Sequence, residues 1–459
     1  MCTELREAMK FKDTLSGELR EFVPISEGRV KLFVCGPTVY DHIQLGNART
    51  FVFFDMFAKY LRARGYEVFY LQNITDLDDK ILKRAREENR KWSDISDRYL
   101  ESYLEDSRTL RLDSVSHHAR ATRYMAEMIS QIERLIGKGF AYVSSDGVYF
   151  DTSKFPDYGK LSKQKLDQVE AGARVEVRSS KRNPQDFVLW KFSDEEPLWG
   201  SPWGKGRPGW HIEDTAITEH YLGTEYDVHG GGTDLVFPHH EAEIAQMRAI
   251  SGLSYLSRYW LHGAFLNFRG EKMSKSTGNI VRVKDLAREY PGVAIRYFLL
   301  NSRYSSELLY NAEVFVSSVE GWKRLQRAFL TLVNQHSCSE GCDVEKDSRD
   351  IINLMDEDLD TRETIAKLHV IATEVFRGDL TPAQKRKFAH IYRFANSFLS
   401  IFAEEQRGLD KVVESLIALR NEFRERGMYS ESDQIRARLR EAGINLEDSG
   451  KETAWNVTG

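Results

Sequence analysis

Residues 29–71 run through an apolar segment, a polar turn, a long apolar helix pattern and a second apolar segment. Arg29-Val-Lys-Leu-Phe-Val34 reads as a buried strand and Glu67-Val-Phe-Tyr-Leu71 as a second one. Between them, residues 45–64 read as an amphipathic helix with Phe51, Phe54, Met56, Phe57, Tyr60 and Leu61 apolar and Gly65 as its stop. Two strands joined through a helix lie parallel, so the expected fold class is α/β with a parallel sheet. The turn Cys35-Gly-Pro-Thr-Val-Tyr-Asp-His-Ile-Gln-Leu-Gly-Asn-Ala-Arg49 then leaves Cys35 at the carboxyl end of a strand, where open α/β sheets bind ligands. Gly46 lets a ligand approach the helix N-terminus, whose free N–H groups favour a phosphate. Taken alone, a cysteine after a strand serves equally well as a small buried hydrophobe.

A chain of 459 residues is too long for one ordinary core, and about two to four domains are expected. Aromatic residues at 12% and charged residues at 29% fit a globular chain rather than a disordered one. No apolar run is long enough for a membrane helix, and residues 1–12 carry charges where a signal peptide would be apolar. The expected setting is cytoplasmic, without a membrane partner. The four cysteines, at positions 2, 35, 338 and 342, are too few for a disulfide framework. A net charge of −5 does not advertise nucleic-acid binding, so an RNA partner would require locally basic surface.

Thr75 and Asp76 end the second strand, and Asp78, Asp79 and Lys80 open a charged helical stretch to Arg111 that is expected on the outside. Helix capping accounts for those acids without any chemistry. Residues from about 120 to 205 look like an insertion: a helix from Met125 to Lys138, strands at 141–143 and 147–150, then basic, Gly/Pro-rich loops with tryptophans. Such loops grip phosphates or bases, or serve as rigid surface. Trp210-His-Ile-Glu-Asp-Thr-Ala-Ile217 opens a helix bearing Asp214 and Thr215. Asp227-Val-His-Gly-Gly-Gly-Thr-Asp234 reads as a short strand entering a triple-glycine turn that can lie flat against a ligand. It is not GxGxxG, and no dinucleotide fingerprint follows the first strand, which argues against a dehydrogenase.

In Phe237-Pro-His-His-Glu-Ala-Glu243, His239 and Glu243 stand at i and i+4 on one helix face. They form either a hydrogen-bonded pair or, with a thiolate from elsewhere, part of a zinc site. The polar loop Glu271-Lys-Met-Ser-Lys-Ser-Thr-Gly-Asn279 carries two lysines able to follow charge on a triphosphate, or is a solvated turn. Beyond about 313 the chain reads as mostly helical. Cys338 and Cys342 fall in a polar linker with no matching pair downstream, and residues 413–459 read as a compact helical piece with arginines and acids interleaved.

Together these stretches resemble the class I aminoacyl-tRNA synthetases, and within them the cysteinyl-tRNA synthetase family, over essentially the whole chain. The resemblance rests on Cys35-Gly-Pro-Thr-Val-Tyr-Asp, on Gln44-Leu-Gly-Asn47 where the class carries its HIGH signature, and on Lys272-Met-Ser-Lys-Ser276, a complete match to the second signature. Asn73-Ile-Thr-Asp, Arg207-Pro-Gly-Trp-His-Ile-Glu213, His229-Gly-Gly-Gly-Thr-Asp and Phe237-Pro-His-His-Glu complete it. It implies a Rossmann-like parallel-sheet catalytic domain (1–120 and 206–262) split by a connective insertion (121–205), then a stem-contact region (263–312), a helical bundle (313–403) and an anticodon-binding region (404–459).

The implied activity is ATP-dependent ligation of L-cysteine to tRNA(Cys) through cysteinyl adenylate. ATP with Mg2+ would be a substrate, one Zn2+ per subunit would select the thiol, and a monomer is expected. The resemblance assigns catalysis to Gln44, Asn47, Lys272 and Lys275. It assigns ATP binding to Gly46, Gly232, Asp234 and Lys275, and cysteine binding to Thr75 and Trp210. The metal falls to Cys35, Asp214, His239 and Glu243, and tRNA binding to Arg424, Tyr429, Asp433, Asp448 and Trp455. Two positions depart from the pattern: Gln44 replaces the first histidine of the HIGH signature, and Asp214 stands where the family has its second cysteine ligand. Two other functions fit the same residues: a cysteine-activating amino-sugar ligase on the same catalytic domain, and an inactive paralogue that only binds nucleotide or RNA.

Overall fold

The computed structural model describes residues 8–163, 180–268, 271–272, 280–333, 344–403, 409–449 and 452–457. Its centre is an all-parallel sheet of β1 (Arg29–Val34), β2 (Glu67–Ile74), β3 (His117–Arg120), β4 (Tyr226–Gly232) and β5 (Ser257–Gly263). The strand order is β5-β4-β1-β2-β3. From β1 the chain builds outward through β2 and β3, then returns to β4 on the other edge of β1. The winding reverses between β1 and β4, and the crevice outside their carboxyl ends is where an open α/β sheet receives a ligand.

The helix after β1, α1 (Leu45–Ala63), departs from the amphipathic expectation. Every residue from Phe51 to Ala58 is buried, so the helix has no solvent face over these two turns. The cause is tertiary: α1 packs on the sheet and also against the helices Gly292–Leu300 and Pro382–Leu399. Each fully buried phenylalanine in it contributes about 1.5–3 kcal/mol relative to exposure. Its one buried acid, Asp55, is paired with Arg296 at 2.7 Å and Lys59 at 3.0 Å, which ties the sheet domain to the helical half. Gly65, at φ 85°, follows the helix end as expected.

Residues 79–111 form two helices, Asp79–Glu88 and Trp92–Thr109, rather than one exposed stretch. Asn89 separates them in the left-handed region (φ 49°), and Ile81, Ile95, Tyr99 and Tyr103 are buried. Asp78 caps the first helix by accepting from the Lys80 N–H, as the capping reading requires. The Met125–Gly137 helix packs on α2 (Trp210–Leu222) and α3 (Glu241–Ser251). An antiparallel sheet of Ala141–Val143, Gly147–Phe150, Phe187–Phe192 and Gly206–Pro208 follows it in the chain.

The C-terminal half is mostly helical, including Ala312–Val333, Thr361–Arg377 and Pro382–Leu399. The last of these starts from a capping box at Thr381 with Gln384. The end of the chain is not wholly helical. After Leu409–Glu425 and Tyr429–Glu441, Ile444–Ser449 and Glu452–Val457 pair as an antiparallel hairpin. Among the described residues no helix is long and apolar enough to cross a membrane. Cys2, Cys338 and Cys342 lie outside the described residues.

Candidate active site and metal centre

The reversal point between β1 and β4 opens into a cleft of about 670 Å3. It gathers Cys35 after β1, Gln44, Gly46 and Asn47 around the start of α1, Thr75 after β2, Trp210 and Asp214 on α2, Gly232 and Asp234 at and after the end of β4, and His239 before α3. Gln44 is the N-cap of α1 with extended backbone, but its side chain makes no capping hydrogen bond and the first turn holds no acid. The positive end of the helix therefore faces the cleft with no carboxylate of its own first turn to offset it. A Cβ on Gly46 would meet nothing within 4 Å, so the fold leaves that approach open.

The three glycines at 230–232 are not a turn. They are the last residues of β4, in register with Leu261, His262 and Gly263 of β5, and none has a positive φ. Their reason is clearance. A Cβ would lie 2.3 Å from the Phe54 ring at Gly230, 2.8 Å from His240 Cε1 at Gly231 and 2.5 Å from Asp234 Oδ1 at Gly232.

At the cleft wall, the four residues assigned to a metal converge. The Cys35, Asp214, His239 and Glu243 ligand atoms all lie within 4.8 Å of one another, and all four residues are buried. His239 Nε2 is 2.9 Å from Asp214 Oδ2 and 3.1 Å from Glu243 Oε1, and Cys35 Sγ is 3.5 Å from Asp214 Oδ2. Among the described residues neither Glu243 oxygen accepts a hydrogen bond, although the side chain is fully buried. Burial and then Asp214 push the Glu243 carboxyl well up from its ordinary range, and burial, Asp214 and Glu243 do the same to the Cys35 thiol. Two carboxylates, a thiol and an imidazole held together without a cation are mutually unfavourable. A divalent ion reverses that balance, because it favours the deprotonated form of each acid.

A second donor set shares Cys35 and Glu243 but takes His229 and His240 instead. His240 Nε2 is 3.1 Å and His229 Nε2 3.7 Å from Cys35 Sγ. Burial lowers both imidazoles well below their ordinary pKa, which keeps them neutral. Sequence reasoning quoted both histidines inside motifs without assigning them a role. The signal was present: His229 is the fourth residue of a strand whose pleat repeats every second position, and His240 neighbours a proposed ligand. Of the two sets, only the first has Cys35 together with two further donors in the cleft lining, Asp214 and His239.

The His239 ring is fixed on two sides. It stacks on Trp210 with centroids 4.1 Å apart, and its Nδ1 lies 2.8 Å from His211 Nδ1. That leaves Nε2 for the ligand position, the usual arrangement when a neighbouring group holds the other ring nitrogen. Thr75 donates from Oγ1 to Glu213 at 3.2 Å.

Lys272 is in the short strand Glu271–Lys272, which pairs with Leu266–Phe268, while Lys275 lies outside the described residues. Arg424, Tyr429 and Asp433 are exposed on the two terminal helices, with Tyr429 at 64%, and Trp455 is half-buried in the hairpin on which Asp448 also lies.

With this geometry in view, comparisons place the chain among known proteins. The family described as "tRNA synthetases class I (C) catalytic domain" matches residues 21–320. A cysteine–tRNA ligase of Thermoplasma acidophilum is 48% identical over 454 residues, covering 97% of this chain and 100% of the relative. One from Thermoplasma volcanium is 45% identical over 452 residues, covering 97% and 99%. Among solved structures, a Mycobacterium tuberculosis methionyl-tRNA synthetase in complex with methionyl-adenylate is similar with a TM-score of 0.56 at 17% identity, covering 81% of this chain and 90% of that one. That likeness concerns the fold alone.

Proposed function

The chain belongs to the cysteine–tRNA ligases, a class I aminoacyl-tRNA synthetase family, and from that premise we infer that it joins L-cysteine to tRNA(Cys) through cysteinyl adenylate. In the first step a cysteine carboxylate oxygen attacks the α-phosphate of ATP, supplied with Mg2+, and pyrophosphate leaves. In the second, a hydroxyl of the terminal ribose of the tRNA attacks the adenylate carbonyl and AMP leaves. The protein forms no covalent bond to substrate, so its residues act by position and charge.

The open first turn of α1, with Gly46 and Asn47, offers N–H donors to phosphate oxygens. Gln44 stands beside it in the same cleft, with an amide that can donate but carries no charge. Lys272 and Lys275 neutralise the charge that builds on the departing pyrophosphate. Gly232 and Asp234 border the nucleotide, and Thr75 and Trp210 border the amino acid. Arg424, Tyr429, Asp433, Asp448 and Trp455 contribute the anticodon-reading end.

Cysteine must be told from serine, which differs by one atom and which an apolar pocket discriminates weakly. Cys35, Asp214, His239 and Glu243 fit a zinc ion: the donor types suit it, and the Glu243 oxygens accept no hydrogen bond among the described residues. When bound, zinc supplies a soft position that takes a thiolate strongly and a neutral hydroxyl weakly. The observation that carries this reading is that Cys35, Asp214 and His239 line the same cleft as the uncapped start of α1. Cysteine-dependent ATP–pyrophosphate exchange, followed by transfer of labelled cysteine to tRNA(Cys), tests it. Absence of exchange in zinc-loaded protein would overturn the reading.

A further inference from the structure

Resting on the reading of Cys35, Asp214, His239 and Glu243 as the metal site, we propose that Asn73 is the residue that makes a carboxylate serviceable at position 214. A thiolate presents one donor atom, whereas a carboxylate presents two and can rotate or chelate. Exchanging the first for the second therefore needs something to occupy the spare oxygen. The two oxygens of Asp214 are in unlike surroundings. Oδ2 faces the donor cluster, 2.9 Å from His239 Nε2 and 3.5 Å from Cys35 Sγ. Oδ1 accepts a short hydrogen bond from the side-chain amide of Asn73.

The direction of that amide is determined by its other end. Asn73 Oδ1 accepts from the Gly36 N–H at 2.6 Å, so the NH2 group must be the end that meets Asp214. The reverse orientation would set N–H against N–H and oxygen against carboxylate. Asn73 is itself 2% exposed and is the seventh residue of β2, held by the sheet next to β1. It therefore joins two ligand-bearing segments. One end fixes the backbone immediately after Cys35, and the other turns Asp214 so that a single oxygen points to the cluster. A donor held this way keeps the ligand count at four, the part that partners of metal ligands commonly play.

This assigns Asn73 a positioning role specific to an aspartate at 214. Sulfur accepts hydrogen bonds weakly, so the same amide has little to hold when cysteine occupies that place. The amide also donates to Thr75 Oγ1 at 3.4 Å, and the three contacts of Asn73 can be separated by a cycle of variants. Asn73→Asp keeps an acceptor for Gly36 N–H but removes the donor to Asp214 and Thr75, and Asn73→Ala removes all three contacts. Each is made in the parent and in Asp214→Cys. Zinc affinity is measured by competition with a chromophoric chelator, and the cobalt-substituted proteins are compared by their visible d–d absorption, which separates four-coordinate from higher-coordinate sites.

Loss of about 10–100-fold in zinc affinity is expected for either Asn73 variant in the parent, with cobalt absorption falling as the aspartate chelates. In Asp214→Cys the loss from Asn73→Ala should shrink to a few-fold. The cycle cancels the Gly36 and Thr75 contacts, which both backgrounds share, and circular dichroism of each variant controls for folding. Equal losses in the two backgrounds, or unchanged affinity and spectrum in the parent background, would overturn the role of Asn73 while leaving the metal site standing. A parent chain that binds no zinc would instead overturn the metal reading itself.

Discussion

Replacing Glu243 by glutamine should change stability with opposite sign in the presence and absence of zinc. Glu243 is fully buried on α3, neither oxygen accepts a hydrogen bond among the described residues, and burial together with Asp214 raises its pKa well above the ordinary value. An acid whose pKa is raised by folding takes stability away at every pH above its unfolded value, because the folded state must hold a proton the unfolded state releases. Metal-free protein near neutral pH therefore carries a penalty at this residue. An isosteric amide removes it, and the usual scale for one poorly satisfied buried polar group is about 1–3 kcal/mol. The metal-free variant should be more stable than the parent by up to that amount, with the difference shrinking as pH falls toward 4.

Zinc reverses the order. At free zinc a hundredfold above its dissociation constant the parent gains about 2.7 kcal/mol, whereas a variant binding a hundredfold more weakly gains only about 0.4 kcal/mol. At about 1 °C per kcal/mol for a chain of 459 residues, zinc should raise the parent melting temperature by about 3 °C and the variant by less than about 1 °C. Thermal unfolding with chelator and with buffered zinc reads both quantities. A variant that is less stable than the parent without metal, and that gains the full zinc increment, would refute the assignment of Glu243 as a ligand held at a cost in the empty site.

Gln44→Ala should slow adenylate formation by about 2–4 kcal/mol of transition-state stabilisation, while Gln44→His keeps or raises the rate. Single-turnover exchange kinetics compare them, and an alanine variant as fast as the parent would remove Gln44 from the machinery. Asp55→Asn should destabilise the chain by about 3–5 kcal/mol by stranding buried Arg296. Burial alone would raise the Asp55 carboxyl, but Arg296 and Lys59 hold it below its ordinary value. Its contribution is therefore present above about pH 4 and lost as pH falls through the lowered value, so denaturant titrations should show the parent and variant converging in acid. Ending the chain after residue 403 should spare pyrophosphate exchange and impair tRNA charging; equal loss of both would make the terminal helices and hairpin structural instead.

The site was legible where its signal was local. His239 and Glu243 are paired by helix spacing, and Cys35 is placed by the strand before it; both relations survive in the structure as short contacts around one centre. The features that escaped depend on distant packing. The apolar residues of α1 implied a face, but helices from residues 292–300 and 382–399 cover the side that would have been solvated. The glycines of β4 suggested a turn, because nothing in the local sequence shows that Phe54 and His240 press on them. Ile444–Ser449 and Glu452–Val457 are polar enough to pass for helix surface, and they form strands because each supplies the other's backbone partners. Asn73 likewise gains its meaning only from Gly36 and Asp214, which are 37 and 141 positions away.

Zinc X-ray absorption on the purified protein, alone and with L-cysteine, tests the central claim that the substrate thiol is selected by a metal held at Cys35, Asp214, His239 and Glu243. The substrate-free spectrum should fit one sulfur and three nitrogen or oxygen neighbours. L-Cysteine should raise the sulfur count to two, and L-serine should leave it at one. A zinc shell that does not change with cysteine, or that contains no sulfur before it is added, would contradict the account.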